Sequence, residues 1–214
     1  MLDSKGFDSW ADTYDKSVGI SDKDNAYPFA GYEKLIGTVL EIISGKKASV
    51  LDIGIGTGVL STELYKNGYK ITGIDFSAEM IKTCKEKMPL AKLIQHNFSE
   101  GLPDELSNEK FDYIVSTYAF HHLNDGEKIT FIKKLLENLN ENGLVIIGDV
   151  GFHTRKQLNE CKLLDEDKWD DDEYYLVYNE IKDSLENVCR IEFKQISICA
   201  GIIIACMKEE AKDG

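Results

Sequence analysis

The chain has 214 residues, of which 43% are hydrophobic and 29% charged. That suffices for one well-buried domain and is too short for two of ordinary size. The formal net charge of −13 repels phosphate backbones and acidic lipid surfaces, so neither nucleic acid nor membrane is expected as a partner.

Apolar residues Phe7, Trp10, Ala11, Tyr14 and Val18 recur at helical spacing and predict an amphipathic helix. A polar loop leads to a second helix from Pro28 to Ser44, with the face Tyr32, Leu35, Ile36, Val39, Leu40 and Ile43. Pro28 falls in its first turn and Gly45 stops it. The apolar run Val50-Leu-Asp52-Ile53 is a buried strand, and Gly54, Gly56 and Gly58 follow at alternate positions. A helix from Val59 to Asn67 is closed by Gly68. Strand 70–75 leads to a helix capped by Ser77 and stopped before Pro89. Strands are expected at 91–95 and 111–117. Asn124 with Glu127 forms a capping box for a helix through Leu139, and Asn142-Gly143 turns into a fifth strand, Leu144 to Asp149. Thr154 with Gln157 opens another helix. The acidic run Asp165–Glu173 reads as the solvated start of a helix from Asp171 to Asn187, with a binding site for a basic partner as the alternative. Arg190–Ala200 and Ile202–Lys208 are β-rich runs meeting in a hairpin at Ala200-Gly201.

The five cysteines, Cys84, Cys161, Cys189, Cys199 and Cys206, have no C-x-x-C spacing. That fits reduced thiols in a cytoplasmic protein rather than a disulfide framework or a zinc site. No group of His, Cys, Asp and Glu has metal-ligand spacing. The N-terminus has no basic-then-apolar signal pattern. The longest apolar stretch, Ile196 to Met207, is about a dozen residues, too short to span a bilayer.

The glycine loop is the most informative segment. A strand that ends in Asp52 and turns through three glycines brings a helix N-terminus against a ligand. A second strand ends in Asp75, where a doubly wound sheet holds the hydroxyls of a ribose. A nucleoside-containing cofactor follows. The spacing is G-x-G-x-G, with Val59 where a dinucleotide fingerprint has its last glycine. Asp52 would repel a pyrophosphate and attract an ammonium. S-adenosylmethionine carries an ammonium, a ribose and a cationic sulfur.

At Asp52-Ile-Gly54-Ile-Gly56-Thr-Gly58, at Asp75 and at Phe111–Leu123 the chain resembles the class I S-adenosylmethionine-dependent methyltransferases, from about residue 7 to 208. The resemblance implies an α/β, Rossmann-like fold. Its seven-stranded, mostly parallel sheet would end in an antiparallel hairpin. Residues 1–45 would form a helical cap on the S-adenosylmethionine-binding domain, 46–214. Gly54 and Gly56 would approach the methionine part of the cofactor and Asp52 its ammonium. Asp75, with Phe76 after it, would take the ribose. Met80 could pack on the adenine or simply in the core. Asn97-Phe98 stands where the family often has an Asp and an apolar residue at the adenine, and an Asn oxygen still accepts that hydrogen bond. The backbone around Ser116 would line the methionine end. His121 would lie near the transferred methyl, His122 less directly, although either could instead cap or pack under the next helix. Tyr14 would reach the cofactor or belong to a core face with Phe7 and Trp10. Tyr27, Tyr174, Tyr175 and Tyr178 could rim a substrate site or pack.

Within the family, Phe7-Asp-Ser-Trp10-Ala-Asp-Thr-Tyr14 and Ser116–Leu123 are most similar to small bacterial methyltransferases associated with sulfur-amino-acid recycling. Transfer of a methyl group to a small-molecule acceptor is the implied activity. Alignment and exclusion of water do most of that work, so the catalytic signature is weak. A binding protein that keeps the cofactor pocket without turnover shares the same motifs. A nicotinamide-dependent oxidoreductase is disfavoured by the glycine spacing, by Asp52 and by the C-terminal hairpin.

Overall fold

The strand after the first described helix sets the architecture. The computed structural model describes residues 26–43 and 47–208; the helix expected over Phe7–Val18, with Tyr14, lies outside them. Helix α1, Tyr32–Ile42, precedes β1, Ser49–Ile53. There follow α2 (Val59–Lys66), β2 (Lys70–Asp75), α3 (Ala78–Lys87), β3 (Lys92–Gln95) and β4 (Phe111–Thr117). The second half holds α4 (Asp125–Glu137), β5 (Leu139–Phe152), α5 (Arg155–Leu164), β6 (Leu176–Val177), α6 (Tyr178–Leu185), β7 (Cys189–Gln195) and β8 (Ala200–Met207). The sheet runs β3-β2-β1-β4-β5-β8-β7, with β6 paired to β5 off that path. β3 to β5 are parallel neighbours, whereas β8 is antiparallel to β5 and β7 to β8. This is an α/β, Rossmann-like arrangement, mostly parallel with antiparallel C-terminal strands. The chain winds outward from β1 to β3 and then crosses to β4, so the ends of β1 and β4 form the switch point where open α/β sheets bind ligands.

Alternation along the strands fills both faces. Val50, Val115 and Ile146 join one apolar cluster, with Leu35, Val39 and Leu60. Leu51, Ile114, Val145 and Ile147 join the other, with Phe131, Leu135 and Ile181. Among the described residues no helix is long and apolar enough to cross a membrane.

Local signals placed most ends. Ser77 accepts a hydrogen bond from Met80 N, and both Asn124/Glu127 and Thr154/Gln157 form complete capping boxes. Four expectations are corrected. Pro28 is not in the first turn of α1. Residues 27–31 form a turn, and Gly31, at φ 78°, precedes a helix that starts at Tyr32. β5 begins at Leu139 rather than Leu144, because Leu139 already pairs with Phe111. Asn142, at φ 62°, sits in an irregularity of that ladder. The acidic run is not a helix start. Tyr175, Leu176 and Val177 are consecutively buried, and Leu176–Val177 pair with Gly151–Phe152, so α6 begins only at Tyr178. The C-terminal hairpin turns at 196–199. Gly201 lies inside β8 opposite Gln195, and a Cβ there would stand 2.3 Å from Phe193 Cζ. Gly201 is the floor for an aromatic ring, not a turn residue.

Candidate functional site

A cleft opens at the C-terminal ends of β1, β2 and β4. Its wall includes Asp52, Gly54, Gly56, Asp75, Phe76, Met80 and Phe98, all expected from the sequence. The turn after β1 explains this convergence. Gly54, at φ 68°, would place a Cβ 2.5 Å from Ala119 Cβ, so only glycine allows the β4 loop to close on the β1 loop. Asp75 accepts from Gly56 N at 2.8 Å and Ser77 N at 2.9 Å, fastening the glycine loop to the tip of β2.

Asp52 is buried. Ser61 Oγ donates to its Oδ2 at 2.6 Å, while Oδ1 has no hydrogen-bond partner among the described residues. Burial pushes its pKa up to about 7; the Ser61 hydrogen bond opposes this in part, and the Asp75 charge adds a smaller upward push. A buried carboxylate with one unmatched oxygen is a receptor for a cation or a donor. Cys84, whose Sγ lies 3.2 Å from Gly56 O, packs beneath the loop, and burial raises its thiol to about 12; it is no nucleophile.

Two expected residues lie off this wall. Asn97 is exposed, and its Oδ1 accepts from Ser99 N and Oγ at 3.1 and 2.9 Å, capping a short helical turn. Ser116 Oγ donates to Ile53 O at 2.8 Å, pinning the end of β4 to β1. Thr117 and Tyr118, which the sequence places at the carboxyl edge of β4, also line the cleft, as does Tyr32, expected only on the apolar face of its helix. Tyr118 has φ 51°, a conformation rare for a bulky residue and concentrated at functional sites. Its ring lies 5.2 Å from those of Phe29 and Tyr32.

A second cleft of about 240 Å³ adjoins the first, and Tyr118 and His122 line both. His121, Glu173, Asp170, Tyr27 and Phe29 complete much of it. His121 is fixed from behind by Asp149 at the end of β5. Its Nδ1 lies 2.8 Å from Asp149 Oδ1, and its backbone N–H donates to Oδ2 at 3.0 Å. Burial alone would lower the His121 pKa, but the Asp149 charge and hydrogen bond, with Glu173, outweigh it and raise it. Burial and the neighbouring His121 push His122 down to about 4. Asp149 is held low, because His121 and two backbone hydrogen bonds overcome its burial.

Glu173 reaches the cleft because its segment is tied down. Tyr174 N–H donates to His121 O at 2.9 Å. The buried Lys128 ammonium bonds the carbonyls of Leu123 and Tyr174. Tyr27 and Trp169 stack, and Tyr175 meets both edge-on, forming an aromatic wedge beside it. Tyr178, packed on Phe193, donates to Ile191 O at 3.1 Å and takes no part in the cleft. Asp149 was legible in principle: like Asp52 and Asp75 it is an acid in the last turns of an apolar strand. Glu173 carried no such signal.

A family model described as "Methyltransferase domain" matches residues 50–143. An uncharacterized methyltransferase of Alkaliphilus oremlandii is 34% identical over 193 residues, 85% of this chain and 86% of the relative. Another, from Oceanobacillus iheyensis, is 32% identical over 209 residues, 93% and 94% of the two chains. Among solved structures, the DhpI–SAH complex superposes with a TM-score of 0.68 at 16% identity, covering 97% of this chain and 96% of the other. Magnesium protoporphyrin IX methyltransferase from Synechocystis PCC 6803 with bound SAH gives 0.64 at 17% identity, covering 84% and 85%.

Proposed function

The chain belongs to the family of bacterial methyltransferases that these relatives represent, and on that premise we propose that it uses S-adenosylmethionine to methylate a small-molecule acceptor. The observation that carries this reading is the first cleft, which holds two acids of different character: Asp52 with its unmatched buried oxygen, and Asp75 at the tip of β2. Complexes of two solved neighbours with S-adenosylhomocysteine support the same cofactor.

The residues fit that ligand. Asp52 Oδ1 would receive the ammonium, which favours the ionised carboxylate. Gly54 and Gly56 admit the methionine part, and Asp75, with Phe76, holds the ribose. Met80 and Phe98 supply apolar surface for the adenine, with Asn97 at its rim. Ser116 acts by holding the Ile53 carbonyl, and Tyr14, outside the described residues, is proposed to contact the cofactor at its carboxylate or its sulfonium. When bound, the cofactor supplies an electrophilic methyl group on a cationic sulfur, transferred in line.

The chain's own task is then to align an acceptor and keep water away. The second cleft is the acceptor site. It shares the Tyr118–His122 wall with the first, and its size suits a metabolite rather than a polymer. His121 is the catalytic contact in that cleft, oriented by Asp149. Residues 1–45 act as a cap within the same domain. We place the enzyme, on the Ser116–Leu123 resemblance, with methyltransferases of sulfur-amino-acid recycling. The five unpaired thiols support a cytoplasmic location. Incubation with methyl-labelled cofactor and pooled small metabolites should give S-adenosylhomocysteine and one labelled product. Cofactor binding with no transfer to any acceptor would sink the catalytic reading.

A further inference from the structure

We propose that His121, His122 and Glu173 form a site for a divalent transition-metal cation, which faces the second cleft and takes the acceptor's heteroatom as a further ligand. One ring nitrogen from each histidine and one Glu173 carboxylate oxygen lie within 4.8 Å of one another. The pair that includes His121 Nε2 and Glu173 Oε1 is already at 3.5 Å. Bonds of roughly 2.0–2.2 Å to zinc place neighbouring ligand atoms roughly 3–3.6 Å apart. Loading the site therefore requires the three ligand atoms to draw together from separations of at most 4.8 Å.

The surroundings are those of a metal ligand set. Adjacent residues ordinarily point apart, yet the tight helical turn Phe120–His122 brings both imidazoles together, with centroids 4.3 Å apart. Asp149 takes His121 Nδ1 at 2.8 Å and so leaves Nε2 as the ring atom that faces Glu173. A carboxylate behind an imidazole is the usual support of a metal-bound histidine. Glu173 is positioned in turn by its neighbour Tyr174, whose N–H donates to His121 O at 2.9 Å. Two imidazoles and one carboxylate suit zinc and its first-row neighbours, and three protein ligands leave a coordination position open. That position would give on to a cleft whose other charged groups include Asp170 and Lys168. A cation there lowers the pKa of a coordinated hydroxyl or thiol and holds it beside the Tyr118–His122 wall. This last step rests on the methyl-transfer reading; the cation site itself does not.

The test is calorimetric titration of chelator-stripped protein with zinc chloride, beside S-adenosylhomocysteine titration of the same sample. One equivalent of zinc should bind, weakened at least about tenfold by Asp149→Asn and abolished by His122→Ala and by Glu173→Gln. Glu173→Gln should still bind S-adenosylhomocysteine, which shows that the variant is folded. Cobalt(II) should give visible ligand-field bands in the native chain and none in Glu173→Gln. No stoichiometric zinc binding, or zinc binding indifferent to both ligand substitutions, would overturn the site. Absence of S-adenosylhomocysteine binding with intact zinc binding would instead strike at the cofactor assignment.

Discussion

Replacing Asp52 by Asn should flatten two pH dependences expected of the native chain. Burial raises this carboxyl from 3.8 to about 7. Between those values the native state keeps a proton that the unfolded chain has already lost. The stability due to this group is full below about pH 4, falls as pH rises, and is flat above about 7. The whole span is worth about 4 kcal/mol. Cofactor binding should run the opposite way, because an ammonium beside Oδ1 selects the ionised form. Roughly a tenth of the free chains carry the charge at pH 6 and roughly nine-tenths at pH 8. Affinity for S-adenosylhomocysteine should then rise about tenfold over that range, or about 1.4 kcal/mol. Calorimetry in buffers of different ionisation enthalpy should show proton release near pH 6 and little at pH 8. Asp52→Asn, which cannot ionise, should bind with no such slope. It should also unfold with a denaturant midpoint that varies less with pH. A native affinity unchanged between pH 6 and 8, or an equal slope in Asp52→Asn, would refute the reasoning.

Other consequences are measurable in the same preparations. Gly54→Ala combines a Cβ 2.5 Å from Ala119 with φ 68° and should cost about 1–3 kcal/mol; cofactor binding should be lost, and an unchanged affinity would contradict the cleft. Lys128→Met removes the donor from the Leu123 and Tyr174 carbonyls. It should lose about 2 kcal/mol in urea titration and acceptor turnover more than cofactor affinity; equal losses would argue against a positioning role. Gly201→Ala should destabilise because of the Phe193 ring at 2.3 Å, and adding Phe193→Leu should recover part of the loss; strict additivity would mean that the ring moves freely.

The parts of the site that were legible in the sequence are local. An apolar run ending in an acid, alternate glycines and a capping serine each state a backbone geometry within a few residues, so Asp52, Gly54, Gly56 and Asp75 could be placed from the chain alone. Glu173 could not. It stands in an acidic run whose composition suggests a solvated helix start, and only the burial of Tyr175–Val177 against β5 and the bond from Lys128 to Tyr174, 46 residues apart, turn it inward. Ala200-Gly201 misled for a related reason. A glycine that seats a distant ring looks, in one dimension, like a glycine that makes a turn. Tyr118 shows the remaining gap, since no residue preference announces a tyrosine at positive φ.

One binding event decides the cofactor assignment. Titration of the purified chain with S-adenosylmethionine and S-adenosylhomocysteine, with Asp75→Ala in parallel, should give one site per chain with micromolar affinity, weakened by about tenfold or more in the variant. No heat with either ligand, or equal affinity in Asp75→Ala, would contradict it.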